Sequence, residues 1–455
     1  MPGRRVSQVL FMIYNQHAVV CNGRLSMEGA AKQAMRSAHG ALLLLLAINL
    51  LNFIDRYIVA AVEPSIRATF FAAGDRNAMA ITGTLGTAFV VSYMIAAPAL
   101  GWLADRFSRW MIIGIAVVLW SLASGASGLA SSIGILLAAR VFVGIGEGGY
   151  GPAAPPIISD LFPLATRGRV LAVFFAAIPV GSALGYAGGG LVNLLHLSWR
   201  WAFYLVAPPG LLLGFFCFLQ KDPRVRDVTG ERRHKATRGD YVRLLRTRSF
   251  LFNVFAQTAM AFALGGLAFW FPAYLMFRNQ PGSATAVFGG ITALAGLIST
   301  LAGGFLADRL RTRFAGSYFL VSGVGMLLGF PLLIAMLYTP FPYAWLLMFG
   351  ALFFIFFNVG PSNTVIANVS LPAVRGTAFA LNIFVIHALG DAIAPPLLGA
   401  VAGHTNMNIA FMVVSGVMVI AGVLWLSGMK YLPADTAAVE QTAVAKSHGE
   451  HVTLV

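Results

Sequence analysis

The sequence predicts an all-α membrane protein with twelve transmembrane helices in two pseudo-symmetric six-helix bundles. Three observations carry that prediction. Hydrophobic residue types make up 58% of the 455 residues and charged types 10%, against about 25% charged in a water-soluble domain. The apolar residues fall in runs of about 20, long enough to cross a hydrocarbon core as a helix, without the short alternating strands of an outer-membrane barrel. Two sequence landmarks also recur in the second half of the chain at nearly one spacing.

In chain order, residues 1–38 are expected to form a cytoplasmic tail. They carry Arg4, Arg5, Arg24, Lys32 and Arg36 but no apolar core ahead of a cleavage site, and Met27 is an alternative start. A first bundle spans 39–220, with helices near 40–62, 79–104, 109–130, 132–155, 168–193 and 201–220. Residues 221–249 hold ten Lys or Arg and four acids. They read as a solvated cytoplasmic linker with some amphipathic helix on the membrane surface. A second bundle spans 250–430, with helices near 250–276, 284–306, 314–338, 342–367, 375–401 and 408–430. Residues 431–455 are a second cytoplasmic tail.

The net charge of +15 does not mark a nucleic-acid binder. Of the 31 Lys and Arg, 25 fall in segments this topology places in the cytoplasm, 4 outside and 2 within spans. That is the positive-inside bias that orients helices, with an anionic inner leaflet as counter-charge. An inner-membrane location with both termini cytoplasmic is expected. Cys21 and Cys217 lie in a tail and a span, which gives no disulfide framework.

The repeat is explicit. Gly101-Trp102-Leu103-Ala104-Asp105-Arg106 ends the second helix, and Gly304-Phe305-Leu306-Ala307-Asp308-Arg309 ends the eighth, 203 residues later. Arg167-Gly168 opens the fifth helix and Arg375-Gly376 the eleventh, 208 residues later, each after an Xaa-Pro pair (Phe162-Pro163, Leu371-Pro372). Parallel halves of this kind place a substrate site between them near the mid-plane.

The Gly-Xaa-Leu-Ala-Asp-Arg loop, present in both halves, resembles the signature of the major facilitator superfamily, over about residues 40–430. One departure is Ser108, where the motif usually has Gly. Within that superfamily the chain is most similar to the Spinster group of lysosphingolipid and lysophospholipid transporters. The likeness rests on Asn52-Phe53-Ile54-Asp55-Arg56, Arg140-Val141-Phe142-Val143-Gly144-Ile145-Gly146-Glu147, Asp160-Leu161-Phe162-Pro163, Ile178 through Tyr186, and Trp199-Arg200-Trp201. Bacterial anion:cation symporters share a similar fourth helix.

The candidate site residues are the charges within spans. Asp55 and Arg56 lie in the first helix; Arg140 and Glu147 lie in the fourth, two turns apart and so on one face. Intramembrane charges face a cavity or each other, so Asp55 is expected against Arg140 and Glu147 within reach of Arg56. Asp55 is placed about 8 residues, or roughly 12 Å, from the outer end of its helix. Burial favours a neutral carboxyl and a nearby guanidinium favours a charged one. Making and breaking such pairs would therefore switch proton affinity, with Asp55 and Glu147 as proton carriers. The resemblance implies the same: in Spinster-like proteins these positions serve coupling or substrate binding.

Other positions are more open. His387 and Asp391, four residues apart, share a face of the eleventh helix and are either a second polar lining or hydrogen-bonded structure. Asn358, Ser362, Asn363 and Thr364 either line the cavity or satisfy backbone freed by Pro361. Phe89, Tyr93, Trp270 and Tyr274 are candidate aromatic walls for an apolar tail. Gly181, Gly185 and Gly189 form a small-residue packing stripe, and the following Tyr186 stands where an antiporter signature has proline. By resemblance, Asp105, Arg109 and Asp160, with Arg106 beside them, form a cytoplasmic gate that is closed in the outward-open state, echoed by Asp308, Arg309 and Arg313.

The letters Gly144-Xaa-Gly146-Xaa-Xaa-Gly149 match a dinucleotide fingerprint but lie inside a span without the required strand. No hydrolase or phosphate-loop motif is present, so no enzyme activity, cofactor or metal is expected. The expected partners are the bilayer, protons and an amphipathic small molecule, with the protein monomeric and no nucleic acid bound. The resemblance implies a proton-coupled, alternating-access transporter of a lysolipid. An organic-anion symporter or drug exporter is the near alternative, and a lipid scrambler or receptor the more distant one.

Overall fold

The computed structural model describes residues 38–222, 237–371 and 374–447. Most of the N-terminal tail with Cys21, much of the linker, Pro372 and the chain's last eight residues lie outside them. Every regular element among the described residues is helical. This is the expected outcome in lipid, where each backbone N–H and C=O must be satisfied within the protein.

The first half comprises α1 (Ala38–Phe70), α2 (Ala78–Arg106), α3 (Arg109–Gly128), α4 (Ile133–Gly148), α5 (Ala154–Leu161), α6 (Leu164–Leu194) and α7 (Arg200–Phe218). A short α8 (Arg238–Arg246) follows. The second half comprises α9 (Arg248–Phe277), α10 (Ala284–Arg311), α11 (Ser317–Tyr338), α12 (Tyr343–Phe356), α13 (Val359–Asn368), α14 (Arg375–Ile386), α15 (Ala394–His404) and α16 (Met407–Gly428), and α17 (Leu432–Ser447) ends the described chain. Among the described residues eleven helices are long and apolar enough to cross a membrane. The twelfth crossing, the fourth in order, is made by two pieces, α4 and α5.

Each departure from the expected boundaries has a local cause. The fourth span ends at Gly148, not residue 155, because Gly148, Gly149, Gly151 and Pro152 cannot sustain a helix; α5 restarts with Pro155 and Pro156 in its first turn. The tenth span breaks between α12 and α13, where Pro361 offers no N–H to the preceding turn. The eleventh is interrupted by a π-helical turn, His387–Asp391, ahead of Pro395 and Pro396. The first helix continues to Phe70 rather than stopping at residue 62. Asp55 is therefore fifteen residues from its end, about 22 Å, which corrects the expected 12 Å and puts the residue near mid-helix. The helix passes through Glu63 because that carboxylate is paired within it.

The two halves meet along two seams. α6 runs beside α10 and α2 beside α15. The close approaches lie toward the face opposite the chain termini. A Cβ on Gly83 would stand 2.6 Å from the Pro395 carbonyl oxygen, and one on Gly289 2.8 Å from that of Ala183. Thr87 Oγ1 donates to the Ala392 carbonyl at 2.6 Å and Tyr186 Oη to that of Ala268 at 2.6 Å. These are the close crossings that small residues permit between membrane helices.

On the terminus side, α8 and α17 brace one another. Arg243 donates to Thr442 Oγ1 at 2.7 Å and to the Ala438 carbonyl at 3.0 Å, while the Ser249 N–H donates to Asp435 at 2.8 Å.

Gly83→Val should overpack the α2–α15 seam at a cost of about 1–3 kcal/mol and lower the melting temperature in detergent. Gly304→Ala, where a Cβ meets open space, should leave it unchanged or slightly higher.

Candidate functional site

α1 and α4 bring the four intramembrane charges together. Arg56 Nε donates to Glu147 Oε2 at 2.6 Å. Arg140 lies 3.8 Å from Asp55 Oδ2, an ion pair by charge but beyond hydrogen-bond range. The other oxygen of Asp55 accepts from Ser124 Oγ on α3 at 2.6 Å. Asp55, Arg140 and Glu147 are 0–2% exposed, while the Arg56 side chain keeps 22% exposure.

The network is incompletely satisfied. Asp55 Oδ2, Glu147 Oε1, and two guanidinium nitrogens of Arg140 are buried without a hydrogen-bond partner. Buried charged groups in that condition are costly, so the constellation has open valences for a proton, water or an anion. Aromatic rings hold the cations in place. Phe89 lies between them, its centroid 4.9 Å from the Arg56 guanidinium carbon and 5.1 Å from that of Arg140. Tyr93 and Phe53 flank Arg56 at 4.9 and 5.0 Å, within cation–π range.

This cluster opens into a cavity of about 140 Å³ between the halves, room for roughly five waters. Arg56, Tyr57, Arg140 and Asp391 form its polar lining. Val59, Ala60, Leu85, Phe89, Val90, Ala268, Phe269 and Pro395 form its apolar wall. Asp391 comes from the second half. His387 Nδ1 lies 2.9 Å from its Oδ2, and the Tyr93 ring meets the imidazole edge-on, centroids 6.1 Å apart. The π-helical turn sets this pair beside Gly265, and such bulges are frequent at functional sites.

Three of the expected residues lie elsewhere. Trp270 and Tyr274 are buried in the core of the second half, outside the cavity lining. Trp270 Nε1 donates to the Pro395 carbonyl at 2.8 Å, and Tyr274 Oη accepts from Arg278 at 2.6 Å. Asn358 is buried at the α12–α13 break and its amide donates to the Ile355 carbonyl. Ser362, Asn363 and Thr364 also make hydrogen bonds to carbonyls one turn back.

At the terminus side, Arg109 donates to Asp160 at 2.6 Å and its backbone N–H to Asp222 at 2.8 Å. This ties the start of α3 to α5 and to the linker. Arg106 turns back over the Trp102 ring, and Asp105 is not without a partner. The second half is built differently. Asp308 accepts from Tyr318 Oη at 2.9 Å, Arg311 rather than Arg309 or Arg313 covers that ring, and Arg309 and Arg313 are exposed. At the repeat offsets of 203 and 208 from Asp160 stand Asn363 and Asn368, so the carboxylate that anchors Arg109 has no acidic counterpart there.

Two residues missed by the sequence reading belong to this account. Ser124 is one of three buried α3 serines spaced by three, with Ser121 and Ser127, a stripe that could have marked it. Glu63 follows Arg56 by two turns on the same helix and was lost because the apolar run was ended one residue before it.

Comparison with known proteins matches this architecture. The Major Facilitator Superfamily profile covers residues 45–391, and the chain belongs to that family of membrane transporters. Within it, the chain belongs with the Spinster proteins. It is 36% identical to Protein spinster of Drosophila melanogaster over 85% of this chain and 64% of that protein's length. It is 34% identical to Protein spinster homolog 3 of Danio rerio over 81% and 78%, and 34% identical to the sphingosine-1-phosphate transporter SPNS2 of Mus musculus over 78% and 68%. The match thus spans just under two thirds of the Drosophila protein. Among solved structures, a bacterial homologue of the human lysosomal transporter Spinster, inward-facing and unoccupied, superposes with a TM-score of 0.77. It covers 88% of this chain and 98% of that one at 21% identity. A D-xylose–proton symporter gives 0.68 at 18% identity over 84% and 96%. These two structures establish the fold.

Removing one partner of a buried pair strands the other charge at about 3–5 kcal/mol. Arg140→Ala should therefore lower thermal stability in detergent more than the double variant Asp55→Asn/Arg140→Ala does. Arg109→Ala, at a partly exposed pair, should cost at most about 1 kcal/mol.

Proposed function

We propose that the protein is a proton-coupled secondary transporter of an amphipathic anionic lysolipid, of the sphingosine-1-phosphate or lysophospholipid kind. It works as a monomer by alternating access in the cell membrane, with both termini cytoplasmic. One observation carries the reading: the incompletely satisfied Asp55–Arg140 and Arg56–Glu147 pairs border the cavity between the two halves. The basic residues concentrated on the terminus side support the orientation. The naming of SPNS2 as a sphingosine-1-phosphate transporter supports the substrate class.

The chemistry links proton and substrate. Glu147 and an anionic head compete for one guanidinium, Arg56, which can grip a phosphate with two parallel donors. Protonating Glu147 removes its claim on Arg56, so proton and anion bind together. Asp55 and Arg140 repeat the arrangement with a looser pair. The cavity is sized for a head group. Its aliphatic and aromatic wall, with Phe89 and Phe269, takes the start of the tail.

With the seam closed opposite the termini, this arrangement is the cytoplasm-facing state. Rocking the halves would close the cytoplasmic face and open the other. Asp105, Arg106, Arg109 and Asp160 belong to the cytoplasmic gate of the first half; because Arg109 and Asp160 are already paired in this cytoplasm-facing arrangement, closure adds contacts to the second half and does not depend on making that pair. Asp308, with Arg309 and Arg313, holds the corresponding place in the second. His387 and Asp391 supply the second half's polar contact with the head group.

Uptake of labelled sphingosine-1-phosphate into proteoliposomes, with and without an imposed pH gradient, tests this. Wild type should respond to the gradient, and Asp55→Asn or Glu147→Gln should abolish the response, a loss of tenfold or more in driven flux. If folded wild type moves no lysolipid but carries organic anions, the substrate class is wrong. Bidirectional lipid movement insensitive to the gradient and to Asp55→Asn would identify a scrambler.

A further inference from the structure

One buried carboxylate remains outside this mechanism. Glu63 on α1 is fully buried. Its Oε1 accepts from Arg67 Nε at 3.0 Å and from Thr82 Oγ1 on α2 at 2.6 Å. Its Oε2 is buried with no partner. At 100° per residue, Arg56, Glu63 and Arg67 fall within about 20° of one line along α1. They form a stripe from the Glu147 pair toward the face opposite the termini, with about 10 Å of rise between Arg56 and Glu63. Arg67, with 32% side-chain exposure, gives water access to its outer end.

The surroundings of Glu63 tie it to the moving parts. Thr82 precedes Gly83, which abuts Pro395 across the α2–α15 seam. From α6, Asn193 donates to the Ala61 carbonyl and accepts from Ser65, and its Cβ lies against Gly282 at the α6–α10 seam. The charged neighbour of Glu63 is Arg67 on its own helix; α2 presents Thr82 and α6 presents Asn193, both uncharged.

We propose that Glu63 is a second proton-binding site and that its loading loosens the α2–α15 seam. The inference rests on the proton-coupled reading above. A charged Glu63 holds Arg67 on its own helix and ties α1 to α2 by accepting a charge-assisted hydrogen bond from Thr82. A proton on its bare oxygen removes the attraction to Arg67 and weakens the Thr82 bond to a neutral one, loosening the end of α2 that closes the seam.

The test needs no substrate. Spin labels at Arg76→Cys and His404→Cys, on either side of the seam, are introduced with Cys21→Ser and Cys217→Ala. Their separation is measured in lipid nanodiscs from pH 5 to 9. The parent protein should show the open-seam population rising at least threefold toward low pH. Glu63→Gln keeps the size and a neutral Thr82 hydrogen bond but cannot load a proton, so the rise should disappear, while Glu440→Gln, at an exposed carboxylate on α17, retains it. If the parent shows no pH response, the proton-coupled reading falls. If the parent responds and Glu63→Gln responds equally, only the Glu63 site is overturned. Should Glu63→Gln fail to fold, Arg67→Gln, which removes the attraction that keeps Glu63 charged, must move the transition to higher pH; an unmoved transition overturns the proposal.

Discussion

A charge in hydrocarbon must find a partner, and this constraint organises the first half of the molecule. Arg56 and Glu147 satisfy it with a short hydrogen-bonded pair, and Asp55 and Arg140 with a longer one completed by Ser124. Both pairs join α1 to α4, so the register between these helices is set by two salt links at the same depth as the cavity. A register slip would separate both pairs at once. Such pairs add little net stability over apolar packing. In the proposed mechanism they add a position where charge is exchanged between protein, proton and anion.

The second constraint is close approach. The seams between halves are made where Gly83 and Gly289 let backbones touch, and they are pinned by a few hydrogen bonds to carbonyls, those of Thr87 and Tyr186. Seams with few polar links suit halves that rock against each other in the proposed mechanism. The helix breaks fall where backbone geometry must change: the Gly-rich end of α4, the Asn358 junction, and the π-helical turn that presents His387 and Asp391. Each break follows from proline or glycine in its neighbourhood, and the last carries cavity-lining chemistry.

Much of this was legible in the sequence. Run lengths showed the spans, offsets of 203 and 208 residues showed the two halves, and helical periodicity put Arg140 and Glu147 on one face. The apposition of Asp55 with Arg140 and Arg56 with Glu147 followed from the rule that intramembrane charges seek each other. Aromatic side chains were less legible, because hydrophobic type does not distinguish core from cavity wall. Phe89 meets both guanidiniums, whereas Trp270 and Tyr274 are packed into the second half. Glu63 was missed because an acid followed by proline looks like a helix end when its partners, Arg67 and Thr82, are not in view.

The sequence by itself determined the membrane class, the count and order of the crossings, the internal repeat and the four central charges, because these depend on composition and local periodicity. Tertiary structure decided which open valences those charges retain, which residue from the second half faces them, and where the halves touch. It also decided that the gate of one half does not mirror the other, since Arg109 finds Asp160 while Asp308 finds Tyr318. Those outcomes depend on distances between helices far apart in the chain, and no local pattern specifies them.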